Sequence, residues 1–137
     1  MRNRNGARCT TELKKNVRKA YQTVDDTHVF GFVAGEEHRA ERSRNENPEL
    51  QWDFILIDAG IGKSDCYRII RESGIEIPAM YKLGYHNNNC IGCVKGKKGY
   101  WNKIRRDFPE AFNRMAAMER KLNFSLCGVF LDELPPD

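Results

Sequence analysis

Residues 90–93 read Cys-Ile-Gly-Cys, and no other feature constrains the chain as strongly. Two thiols three residues apart face one point only if the backbone between them turns tightly, and Gly92 permits that turn. Five cysteines are present: Cys9, Cys66, Cys90, Cys93 and Cys127. The number is odd, and in a reducing compartment all five are expected to be thiols. In that setting a Cys-x-x-Cys pair points to a metal or redox site. Zinc and iron–sulfur clusters both use such loops, but one pair supplies only two ligands, so further donors must come from elsewhere.

The scaffold that carries the loop reads as a single domain over residues 1–137. A chain of this size can fold on its own core without disulfide staples. Hydrophobic residues make up 40% and charged residues 31%, which argues against a disordered chain. A net charge of +4 tolerates an anionic ligand without demanding nucleic acid. No apolar run approaches the roughly 20 residues of a membrane span. Met1 to Gly6 lacks the apolar stretch of a secretory signal, so a cytoplasmic location is expected.

The element pattern alternates. Thr10 is expected to cap a first helix, with Glu12 in its first turn and Leu13, Val17, Ala20 and Tyr21 at helical spacing. Val29 to Val33 reads as a strand, and Glu36 to Arg44 as a charged helix or ordered loop broken at Asn45 to Pro48. Phe54 to Ile57 reads as a buried parallel strand. Ser64 is expected to cap a helix that carries Cys66, Ile69 and Ile70 on one face and stops at Gly74. Pro78 to Asn89 reads as irregular, Gly99 to Asp107 as a short helix, and Pro109 as the first residue of another, with Phe112, Met115, Met118 and Leu122 inward. An acidic tail, Asp132 to Asp137, closes the chain. Strands alternating with helices predict an α/β layer structure with a thin sheet.

Three further groups carry possible chemistry. Cys9 sits at a helix start, where a thiolate is favoured, and His86 lies near the Cys pair as a nitrogen donor that can stand in for Cys66. A buried core thiol is the other reading of Cys66, and Cys127 reads as core. Lys95, Lys97, Lys98, Lys103, Arg105 and Arg106 follow the pair, interleaved with Gly96, Gly99, Tyr100 and Trp101. Lysines hold phosphate as point charges, glycines let the backbone approach an anion, and an aromatic can stack on a base. Arg39, in the charged stretch after Gly35, is a further anion ligand or else part of a solvated helix. Gly60-Ile61-Gly62-Lys63-Ser64 looks like a phosphate loop, but Ile57 stands where that motif requires glycine, so it reads as a turn and cap.

Several stretches together resemble one family. They are Cys9-Thr10-Thr11-Glu12-Leu13-Lys14, Gly31-Phe32 with Glu36-Glu37-His38-Arg39, Asp65-Cys66, and above all Gly84-Tyr85-His86-Asn87-Asn88-Asn89-Cys90-Ile91-Gly92-Cys93-Val94-Lys95-Gly96. Tyr100 to Arg105, Phe108-Pro109-Glu110 and Phe130 to Leu134 continue the likeness. The chain resembles the phosphoadenosine-phosphosulfate reductase-like proteins of phages and mobile elements, within the PP-loop, adenine nucleotide α-hydrolase-like group. The resemblance implies a Rossmann-like α/β sheet with flanking helices and a cysteine metal-binding loop. It implies a four-thiolate site of Cys9, Cys66, Cys90 and Cys93 holding zinc or a [4Fe–4S] cluster.

The family's Ser-Gly-Gly-x-Asp-Ser type loop and its Glu-Cys-Gly-x-His motif do not occur among these residues. A truncated sheet is therefore expected, and neither sulfate reduction nor ATP pyrophosphate cleavage is. Two readings follow. In one the chain is a metal-holding binding or regulatory module with a protein or nucleic-acid partner. In the other it is a minimal or split enzyme of this family that binds an adenine nucleotide through Arg39, Lys95, Lys97, Lys98, Lys103 and Arg105, completed by a second chain or by a homodimer.

Overall fold

The computed structural model describes the backbone of residues 2–3 and 6–136 and the side chains from Ala7 to Pro136. Of the N-terminal stretch, Met1, Arg4 and Asn5 lie outside the described residues, as does Asp137 of the acidic tail. The elements are β1 (Arg2–Asn3), β2 (Gly6–Ala7), α1 (Arg8–Thr10), a π-helical segment (Thr11–Lys15), α2 (Asn16–Tyr21), β3 (Thr27–Val29), α3 (Glu37–Glu46), β4 (Gln51–Asp53), α4 (Ile55–Asp58), α5 (Lys63–Glu72), α6 (Ala79–Lys82), α7 (Lys98–Asp107), α8 (Pro109–Leu122) and a final 3-10 turn (Leu131–Glu133). The protein is α/β and mostly helical, with a two-stranded parallel sheet. Its contacts gather into two compact units: Arg18–Pro78, called here the sheet unit, and Met1–Val17 with Ala79–Asp137, the turn unit.

In the sheet unit β3 and β4 run parallel, with Thr27 opposite Gln51, His28 opposite Trp52 and Val29 opposite Asp53. Both strands are displaced from the positions that the sequence pattern favours. The apolar run Phe54 to Ile57 is not a strand, because the Phe54 carbonyl accepts the N–H groups of Ile57 (2.9 Å) and Asp58 (3.1 Å) and turns the chain into α4. The ladder instead uses the alternating Gln-Trp-Asp just before it. The first strand likewise ends at Val29, with one more bond from Phe30 N–H to the Asp53 carbonyl (3.0 Å).

Period-2 geometry puts His28 and Phe30 beside Trp52 and Phe54, and the rings form a continuous row. Phe30 meets Trp52 at 5.2 Å, Trp52 stacks on Phe54 at 6.1 Å, and Phe32 stacks on Phe54 at 5.7 Å. Guanidinium groups cover these rings, with Arg39 at 4.2 Å from Phe32 and Arg44 at 4.7 Å from Phe54. Only Ala40, Leu50 and Phe54 are buried among the described residues of this unit. α3 is helical as one of the two sequence readings has it, and Asn47 caps its C-terminus. α5 starts at Lys63, not after Ser64: the Gly62 N–H donates to the Asp65 carboxylate (3.0 Å), and this bond takes the place of a serine cap.

The turn unit has the larger core. Trp101, Ile104 and Leu131 are fully buried, and Met80, Tyr85, Phe112, Leu126 and Leu134 pack around them. Pro109 opens α8, where its missing N–H costs nothing. The inner face of α8 is Ala111, Phe112, Ala116 and Glu119, with Met115 half-buried against the core. Met118 and Leu122, expected inward, are exposed. Glu119 sets the rotation, because its buried carboxylate accepts the N–H groups of Leu126 (2.5 Å) and Leu131 (2.6 Å). The first helical run begins at Arg8, two residues before the expected cap. An Arg8–Glu12 ion pair (2.5 Å) spans its first turn, and Ala7 offers no side-chain cap. Leu13 on that run is 74% exposed, so its apolar spacing does not translate into burial there.

Candidate functional site

Residues 90–93 form a reverse turn. The Cys93 N–H donates to the Cys90 carbonyl (3.0 Å), and Gly92 takes φ +75°, a conformation that a side chain would strain. Tyr100, in the first turns of α7, clamps the same two residues. Its Oη accepts the Cys93 N–H (2.9 Å) and donates to the Cys90 carbonyl (2.7 Å). Burial raises the Tyr100 phenol above its ordinary pKa, so at neutral pH Oη keeps the proton that the second bond requires. All five cysteines are free thiols; Cys90 is exposed and Cys93 half-buried.

The Tyr100 ring is fixed from several sides. It meets Tyr85 edge-on at 5.9 Å and Trp101 at 5.4 Å. Beneath it lies the buried backbone of Gly96, whose N–H donates to the Cys93 carbonyl (2.8 Å). A Cβ at position 96 would stand 2.1 Å from Tyr100 Cδ1 and 3.0 Å from Trp101 Nε1. Only glycine admits this contact. The Trp101 indole N–H is itself buried and has no hydrogen-bond partner among the described residues.

The outer side of Tyr100 walls a cavity of about 450 Å³. Lys95, Lys97 and Lys103 line it together with Asn87, Asn89 and His86, and no carboxylate is among its lining residues. Lys103 Nζ lies 4.4 Å above the Tyr85 ring. The Tyr85 hydroxyl donates to Asp107 (2.9 Å), which also accepts from Arg106 (2.7 Å). The bond from Arg106 holds Asp107 below the usual aspartate range, while burial and the Asp107 carboxylate push the Tyr85 phenol up. Lysine ammonium groups and side-chain amides, with the nearby Asp107 carboxylate bonded to Tyr85 and Arg106 outside the lining, make a cavity that can hold a phosphate or sulfate group.

Of the residues that the sequence singles out, Lys95, Lys97 and Lys103 converge on this cavity, and His86 joins them. Lys98 begins α7 but is not among the lining residues. Arg105 donates to the carbonyls of Leu131 (3.1 Å) and Leu134 (2.6 Å), with its guanidinium 4.7 Å from the Phe112 ring, so it ties the C-terminal segment to α7. It also borders a second cavity of about 450 Å³ with Lys103, Asn102 and Arg106. Arg39 belongs to the sheet unit, where it pairs with Glu36 over the Phe32 ring.

Cys9, on α1, is exposed; Cys66, on α5 of the sheet unit, is half-buried; Cys127 packs on the core of the turn unit. The Cys90–Cys93 turn presents two thiol donors, the number one Cys-x-x-Cys loop can give a metal. Among the described residues no three His, Cys, Asp or Glu side chains are grouped so as to hold a metal ion.

The clamp by Tyr100 is what sequence reasoning misses. The signal for it is a tyrosine beside the apolar Trp101 and Ile104, whose half-buried ring leaves a hydroxyl that needs a partner. Asn87 and Asn89, read from sequence as turn formers, also prove to be cavity walls. Among the described residues no helix is long and apolar enough to cross a membrane. No family model, no curated protein and no solved structure matches the chain.

Proposed function

We propose that the chain is a metal-holding binding module of the phosphoadenosine-phosphosulfate reductase-like type, built on a truncated Rossmann-like sheet. One observation carries this reading: Tyr100 bonds the backbone of the Cys90–Cys93 turn and also walls a lysine-lined cavity with no carboxylate among its lining residues. Cys90 and Cys93 are the ligands the chain offers first, and Cys9 in the same unit is the next that the resemblance names. The metal is zinc or a [4Fe–4S] cluster, since thiolates suit both. Bound there, it would cross-link the turn and lend stability to the loop around it. The cavity then receives an anionic group of the partner, whether protein or nucleic acid.

Metal content and the visible spectrum of anaerobically purified protein test this reading. A brown protein with about four irons per chain indicates a cluster, and a colourless protein with one zinc indicates a closed structural site. In both cases Cys90→Ser is expected to lose the metal. Protein purified metal-free, and unchanged when zinc, or ferrous and ferric iron with sulfide, is supplied, would overturn it.

The cavity volume favours a second reading, in which an adenine nucleotide is the ligand and the chain is a minimal enzyme of this family, because pockets for small molecules begin at a few hundred Å³. Calorimetric titration with ATP, AMP and phosphoadenosine phosphate separates the two. Saturable heat with turnover supports the enzyme, and a flat titration removes it.

A further inference from the structure

The Cys90–Cys93 turn and the lysine-lined cavity hold one side chain in common, and it is immobilised at both ends. At the turn, the Tyr100 hydroxyl is bonded to both cysteine residues through their backbone, at 2.9 and 2.7 Å. At the cavity, its ring is wall. Between the two, the ring lies on the Gly96 backbone so closely that a single Cβ there would overlap it. A ring so packed moves only with its support, because packed interiors pass displacement on to neighbours instead of absorbing it. Two neighbouring segments feel the same displacement: Gly96 bonds back to Cys93, and Lys95 and Lys97 flank Gly96 on the chain. Two of the three lysines that line the cavity therefore stand on the segment that Tyr100 presses upon. The unpartnered Trp101 indole N–H, beside the position a Gly96 Cβ would take, marks the same point as one where the packing leaves a polar atom unsatisfied.

We infer that Tyr100 is a positioning residue that couples the two sites: an anion seated in the cavity tightens the Cys90–Cys93 turn, and a change at the cysteines alters the cavity's hold on the anion. The inference deepens the reading given above and rests on its anion-binding cavity, though not on its metal. Coupling of this kind is reciprocal by linkage, and each site reports on the other. Ordering the turn once, through either site, spares the other site that cost.

The test uses the full chain, with any bound metal removed by a chelator so that the thiols are free, and two probes. Inorganic pyrophosphate, with chloride at matched ionic strength as control, fills the cavity. Iodoacetamide, which is neutral and so is not steered by the charge being added, reports on the thiols through site-resolved mass spectrometry. A nearby anion disfavours a thiolate by its own charge, and this slows alkylation in any variant. The coupling is the part of the slowing that Tyr100→Phe removes. That variant keeps the ring and loses only Oη.

Pyrophosphate is expected to slow alkylation of Cys90 in the wild type about fivefold more than in Tyr100→Phe, while calorimetry shows both proteins binding pyrophosphate. The companion measurement needs no variant: wild-type protein alkylated at Cys90 is expected to bind pyrophosphate several-fold more weakly than unmodified protein. Equal slowing in the two proteins, or an affinity indifferent to alkylation, overturns the coupling and leaves the cavity reading standing. Pyrophosphate bound by neither protein removes the cavity reading and the coupling with it.

Discussion

The two units of this chain solve the problem of a small core in opposite ways. The sheet unit has the regular pairing, yet it buries little, and its ring row is sealed by arginine side chains instead of by further strands. The turn unit has almost no sheet, yet Trp101, Ile104 and Leu131 are fully enclosed, and buried polar groups lock distant segments together. Their charges differ in the same sense. The turn unit carries 15 lysines and arginines against 7 aspartates and glutamates, and the sheet unit 8 against 12. The net charge of +4 is thus a difference between a basic unit and an acidic one. An anion ligand is favoured only on the first, and the lysine-lined cavity lies there.

The comparison breaks most readily at the core of the turn unit. Leu131→Ala is expected to cost about 3–4 kcal/mol, the range for emptying a well-packed apolar site. Denaturant unfolding followed by the Trp101 fluorescence, in a Trp52→Phe background, would read it. Amide exchange should quicken across 79–136 and change little across 27–53; an equal rise in both would show that the two units are one cooperative body.

Glu119→Ala comes next, at about 2–3 kcal/mol, because it removes the acceptor of the buried N–H groups of Leu126 and Leu131. The Glu119→Gln variant keeps one acceptor oxygen and should recover part of the loss in the same assay. Failure of Glu119→Ala to destabilise would mean that burial of Phe112 and Ala116 alone sets the rotation of α8.

The smallest effect belongs to the sheet unit. Arg44→Ala uncovers Phe54 and is expected to cost about 0.5–1 kcal/mol, the range for an exposed guanidinium over a ring. A cost of several kcal/mol would mean that arginines here stand in for a missing layer of core.

The contrast between the units also marks what the sequence makes legible. The helices of the turn unit follow from punctuation that acts locally: Pro109 at a first turn, and a short amphipathic run ending at Asp107. The face of α8 does not follow, because a lone glutamate among apolar positions reads as solvent-facing until two backbone N–H groups from residues 126 and 131 are seen to meet it. In the sheet unit the existence of two strands and a helix between them is legible, but their positions are not. A run of four apolar residues, Phe54 to Ile57, serves a strand or a helical turn equally, and the decision rests on the ring row that forms when Trp52 and not Ile55 faces His28 and Phe30. At the site, the lysines next to Cys93 are legible from spacing, whereas Arg105 and Arg39 are drawn into structural roles by carbonyls and a glutamate that no local pattern announces.

Gly96 has a consequence of another kind. Its neighbour Gly99 faces open space, with nothing within 4 Å of an added Cβ, while Gly96 has no room for one. Over generations of mutation these two glycines, three letters apart, would therefore have different histories. Position 99 can drift through much of the alphabet at small cost, and position 96 cannot change before Tyr100 does. Any lineage that replaced Gly96 would have had to give up the tyrosine first, and with it the side chain that touches both the cysteine turn and the cavity.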